Sequence, residues 1–138
     1  MKTKIILLII MIVSIVGTTQ GQTLRNSSGS QIGKIESNGT IRNSTGSNIG
    51  KFESDGIVRD SKGNRLGKIE SDGTLRNSSG NRLGKIESDG IVRDSRGNRL
   101  GKVESDGTVR DDRGNNIGKA DGSNRQRIGA VYFFFFFK

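Results

Sequence analysis

The chain has no cysteine, histidine, proline or tryptophan, and a single tyrosine, among its 138 residues. Without cysteine there is no disulfide and no thiol nucleophile. Without histidine the commonest general base is gone, and with both absent so are the usual zinc and copper ligands. Acids are in deficit as well: 14 Asp+Glu stand against 23 Lys+Arg, a net charge of +9. What the chain has in quantity is glycine, 21 residues of it.

A long apolar run occurs near the start. Ile5 to Val16 is broken only by Ser14, follows Lys2 and Lys4, and precedes the small-residue stretch Thr19-Gln20-Gly21. This order is expected of a secretory signal peptide, residues 1–21, cut before Gln22. The run is too short for a membrane span, which needs about 20 apolar residues. The protein is therefore expected to be exported, to the periplasm or the cell surface. The remaining residues, 22–138, suffice for a single domain with net charge +7. Leu, Ile, Val and Phe make up 22% of that segment, close to the level of about 20% below which disorder is expected.

The order of residues decides for a fold. Gly-Lys recurs at Gly33, Gly50, Gly67, Gly84, Gly101 and Gly118, always 17 residues apart, and a strict period means an array of identical supersecondary units. Five full units run from Thr23, and a partial sixth covers 108–122. Each unit places two turn clusters, Ser-Asp-Gly and Ser-x-Gly, between short β-prone stretches. Read as three-residue hairpin loops closed by glycine, they set Ile86 opposite Val92 and Val92 opposite Leu100. Leu100 and Val103 are three apart and would face opposite sides of a flat strand. A bulge at Gly101-Lys102 would bring both to one face and bend the strand. Repeated in every unit, that bend closes the sheet. The expected fold is all-β, a closed ring or barrel of short antiparallel hairpins. A final strand over 127–137, rich in β-prone Val, Tyr and Phe, is expected to close it against Leu24.

The repeat G-K-I-E-S-D-G-T-V-R-D-S-x-G-N-R-L, the odd unit Gly118-Lys119-Ala120-Asp121-Gly122 and the aromatic end Tyr132 to Phe137 resemble the small exported bacterial proteins called five-fold beta-flower proteins. The resemblance implies petals of short hairpins about a pseudo-five-fold axis. It carries over no activity, substrate or site residue.

Candidate chemistry is confined to repeated positions, and no acid, base or nucleophile stands apart from the repeat, so no enzymatic activity is expected. The turn aspartates, Asp55, Asp72, Asp89 and Asp106, suit a turn for backbone reasons, and no metal or cofactor is expected. Arg42, Arg59, Arg76, Arg93 and Arg110 form one column and Arg65, Arg82 and Arg99 another, together a candidate surface for anionic or polyhydroxylated polymers such as polysaccharide, since the guanidinium fork fits carboxylate, sulfate or phosphate. Nucleic acid is not expected, because Phe52 is the only aromatic in the repeats and bases need stacking platforms. A second reading makes the chain a structural or accessory envelope protein whose Phe-rich end docks a partner, with membrane contact only if that end is exposed.

Overall fold

Two turn sequences per unit set the strands. Glu87 N–H donates to Ile91 O at 2.8 Å and Gly90 N–H to Glu87 O at 2.9 Å, closing the loop Ser88-Asp89-Gly90. Its last residue takes φ +92°, a conformation that glycine adopts without Cβ strain. The other loop is built alike, with Asp94 N–H on Asn98 O at 2.8 Å and Gly97 N–H on Asp94 O at 3.1 Å. Ile86 then faces Val92 and Lys85 faces Arg93, as the loop lengths predict.

The computed structural model describes residues 21–122 and 124–137; residues 1–20, all but the last of the expected signal peptide, lie outside the described residues. Twelve strands follow in order: β1 (Gln22–Asn26), β2 (Gln31–Ile35), β3 (Thr40–Asn43), β4 (Asn48–Phe52), β5 (Ile57–Asp60), β6 (Arg65–Ile69), β7 (Thr74–Asn77), β8 (Arg82–Ile86), β9 (Ile91–Asp94), β10 (Arg99–Val103), β11 (Thr108–Asp111) and β12 (Asn116–Ala120). Each pairs with its neighbours in sequence, and β1 pairs with β12 through Leu24↔Ala120 and Arg25↔Lys119, so the barrel is closed. Closure removes the free edges that invite aggregation. The partial sixth unit thus forms a complete strand pair, β11 with β12, and the ring has six petals where the resemblance implied five.

The bulge lies one residue before the expected place. Val92 pairs with Gly101 and Arg93 with Arg99, which leaves Leu100 as the extra residue; the same slip recurs at Leu66 and Leu83. Leu66 and Ile69 do both pack on the core, Leu66 half-buried and Ile69 buried, but Gly67-Lys68 itself is regular strand. Gly67 faces in and Lys68 out.

Inward glycines make sense once the C-terminus is placed. The expected closing strand over 127–137 is a correction: Arg125–Ala130 forms a short helix, α1, and Val131–Phe135 a π-helix, and both fill the barrel. A strand inside an apolar lumen would leave its N–H and C=O groups unpaired, whereas a helix satisfies its own. Asn124 caps α1 by accepting the Arg127 N–H at 3.1 Å. Ile128, Ala130 and Val131 share one buried cluster with Ile35, Ile41, Phe52, Val58, Ile86 and Val92, and Gly129 lies against Ile86 and Val92. Beyond them the turn widens until Phe137 N–H bonds Val131 O at 2.8 Å, six residues back, and successive aromatic rings reach successive petals. Tyr132 lies on Gly118, Phe133 on Gly101, Phe134 on Gly84, Phe135 on Gly67, Phe136 on Gly50 and Phe137 on Gly33. A methyl group on Gly101 would come within 2.7 Å of Phe133 Cζ, and one on Gly84 within 2.8 Å of Phe134 Cζ.

Tyr132 fixes which ring meets which petal. Its hydroxyl donates to Arg25 O at 2.6 Å, with Lys119 O at 3.3 Å, so it sits on the seam where β1 meets β12. Burial pushes its pKa up to about 12 from 10, because the phenolate is excluded from this site. A group whose folded pKa is raised contributes stability that is present below its unfolded value and lost as pH rises through the folded one. The advantage of the wild type over Tyr132→Phe, about 1 kcal/mol at neutral pH from the hydrogen bond, should therefore shrink above pH 10, reverse by about pH 11 because each pH unit removes about 1.4 kcal/mol, and level off above pH 12, as read from denaturant midpoints of the two proteins.

One ring per petal also predicts compensation. Deleting the unit 74–90 leaves one ring without a seat, and deleting Phe134 as well restores the match. The single deletion should lose its cooperative thermal transition and the double deletion should regain it, by circular dichroism.

Candidate functional site

Strand alternation turns Lys85 and Arg93 outward. The first arginine column is a clamp. Arg42 Nε donates to Glu36 at 2.6 Å and Arg110 Nε to Glu104 at 2.8 Å, and Arg59, Arg76 and Arg93 bind Glu53, Glu70 and Glu87 in the same way. Each guanidinium reaches the other way to a loop carbonyl, Arg59 to Gly63 O at 3.0 Å and Arg93 to Gly97 O at 3.1 Å. These arginines tie the two turns of their petals together and keep only part of their surface for a ligand.

The second column is exposed. Arg65, Arg82 and Arg99 are in none of the ion pairs formed among the described residues. The bulge sets them directly opposite the first column: Arg59↔Arg65, Arg76↔Arg82 and Arg93↔Arg99. Like charges directly opposed across strands destabilise the pair. On the other side of each clamp stands a lysine, with Lys51↔Arg59, Lys68↔Arg76 and Lys85↔Arg93. The same 17-residue repeat that sets the arginine column sets these lysines. Three consecutive petals therefore each carry Lys, Arg and Arg against one Glu.

The neighbouring petals show what the position needs structurally. Arg42 faces Asn48 and Arg110 faces Asn116, and these amides accept the bulge N–H of Gly50 at 3.0 Å and of Gly118 at 2.9 Å. Arginine has no acceptor, so Arg65, Arg82 and Arg99 forgo that bond and add repulsion. Local stability does not account for them.

The acidic residues have a structural use. Asp72 and Asp106 accept the N–H of Thr74 and Thr108, and Asn38 does the same for Thr40, so the charge is dispensable to the turn. In the other loops Asp60 and Asp111 accept backbone N–H groups, first of all those of Asn64 and Asn115, which hold their carboxyls below the usual range. A cleft of about 260 Å³ lies where α1 meets the Ser-Asp-Gly turns, floored by Phe52 and Ile69. Arg127 covers the Phe52 ring at 5.2 Å, so no stacking platform is open there. In the Phe-rich end, expected in the second reading to dock a partner, Tyr132 is buried and Phe133 to Phe137 are half-buried, packed on the core and against the glycines of the wall.

A family model described as 5-fold beta-flower protein matches residues 21–137. No curated protein and no solved structure matches the sequence.

Replacing Arg65, Arg82 and Arg99 together by asparagine should leave the fold intact and raise its stability, by about 0.5 to 1.5 kcal/mol for each hydrogen bond gained. Chemical denaturation of the triple variant checks this.

Proposed function

The chain belongs to the five-fold beta-flower family, and on that footing we propose that it is an exported, non-enzymatic binding protein whose cationic face holds an anionic or polyhydroxylated polymer such as a polysaccharide. One observation carries the reading. Arg65, Arg82 and Arg99 stand opposite arginines on three adjacent petals, where asparagine at Asn48 and Asn116 makes a hydrogen bond that arginine cannot. Residues that work against local stability mark places under another demand, and an anion laid between two guanidinium groups removes their repulsion.

Repetition fits a polymer. A single exposed ion pair contributes about 0.2 to 1 kcal/mol, too little to retain a small ligand. Several such pairs along one chain act at high effective concentration, and the whole binds more tightly than any one contact. The export pattern at residues 1–21 supports an envelope or extracellular polymer as the partner.

The test is binding of the mature chain to dextran sulfate and to cell-envelope polysaccharide, by calorimetry at two salt concentrations. The triple asparagine variant should bind about 3- to 150-fold more weakly, three pairs lost at the energies above. Binding by the wild type should fade towards 1 M salt, where the Debye length is about 3 Å. Undiminished binding by the triple variant would remove the arginine face from the function.

A further inference from the structure

The cationic face has a spacing and two ends. Its three groups sit on adjacent petals, two strands apart, and strands lie about 4.8 Å from one another, so the groups repeat about every 10 Å at the backbone, and wider at the tips of side chains that fan outward. The row crosses the strands and follows the girth of the barrel. It stops at Asn48 on one side and Asn116 on the other. In each group Glu53, Glu70 or Glu87 engages the middle arginine, and the lysine stands two strands from the exposed arginine, which leaves that arginine to meet an anion.

We propose that this face binds a linear glycan laid around the barrel, across the strands, with a carboxylate or sulfate on alternate sugars and three anions engaged at once. This rests on the polymer-binding reading above and names its ligand class. A repeat of about 10 Å is comparable with the length of a disaccharide, whereas a nucleic acid strand carries a charge every 3.4 Å or so. Nucleic acid would also need exposed rings to stack on. Here Phe52 and Tyr132 are buried, and Phe133 to Phe137, half-buried, lie against the glycines on the inner side of the wall and not on the outward row. Sugar hydroxyls would meet the exposed loop serines Ser61, Ser78 and Ser95 that border the row.

Hyaluronan oligosaccharides, which bear one carboxylate per disaccharide, test the geometry on the mature chain by calorimetry. Affinity should rise about fivefold per disaccharide from two to six sugars, and change by no more than about twofold at eight, from extra binding registers alone. Arg65→Asn should lower the six-sugar affinity to that of four sugars and leave the four-sugar affinity within about twofold, since Arg82 and Arg99 still span it. Affinity that climbs at the same rate past eight sugars, equal weakening of all lengths by Arg65→Asn, or equal binding of a single-stranded oligothymidylate of matched charge would overturn the proposal. If no hyaluronan oligosaccharide binds while dextran sulfate binds through the three arginines, the spacing is wrong and the polymer-binding reading stands. If neither binds, both fall.

Discussion

A phenyl ring laid against a stretch of wall that carries no side chain is the contact on which the barrel depends. Six glycines, one per petal, open six seats, and six consecutive residues of one wide helical turn occupy them. Any side chain at those glycines would occupy the volume of a ring, and any other backbone in the lumen would waste rings on directions with no seat. An α-helix advances about 100° per residue and would send neighbouring rings past adjacent petals. The wider turn matches the angular step of a six-petalled wall, so filling and container share one symmetry.

With the interior so specified, the outer face is free for other work. The clamps of Arg to Glu and the Asp or Asn caps of the turns are partly exposed to solvent and individually weak. Their value is in repetition, since they hold every petal in the same shape. At the position opposite each clamp the shape tolerates Gln31, Asn48, Arg65, Arg82, Arg99 or Asn116. That tolerance lets one side of a near-symmetric object become cationic without changing the fold.

Period, turn length and strand pairing are local properties, and they could be read from residues such as Ser88-Asp89-Gly90, which placed Ile86 opposite Val92. The bulge was legible as a conflict between Leu100 and Val103 but not to the residue, because either Gly101 or Leu100 can absorb the extra step. Sequence alone makes the glycines bends and the tail a strand, where the barrel uses the glycines as seats and the tail as a helix. Both differences have one cause. The value of Gly84 depends on Phe134, fifty residues later in the chain, and the conformation of Phe134 depends on a lumen that exists only after twelve strands have paired. β propensity in Val131 to Phe137 describes an open sheet edge, and the closed barrel offers none. The two arginine columns were visible as columns, but their opposition needed the position of the bulge.

The material that fills the barrel comes from the end of the chain. During synthesis from the N-terminus, all twelve strands precede the rings that support them, and the seam between β1 and β12 joins residues almost a hundred positions apart. Such distant contacts carry the largest loop-closure cost and form late. The strands alone line the interior with one apolar ring and six bare glycines. Residues 132–137, with Tyr132 set on the seam, supply contacts that twelve strands alone do not make, so a chain cut before them has petals and no filling.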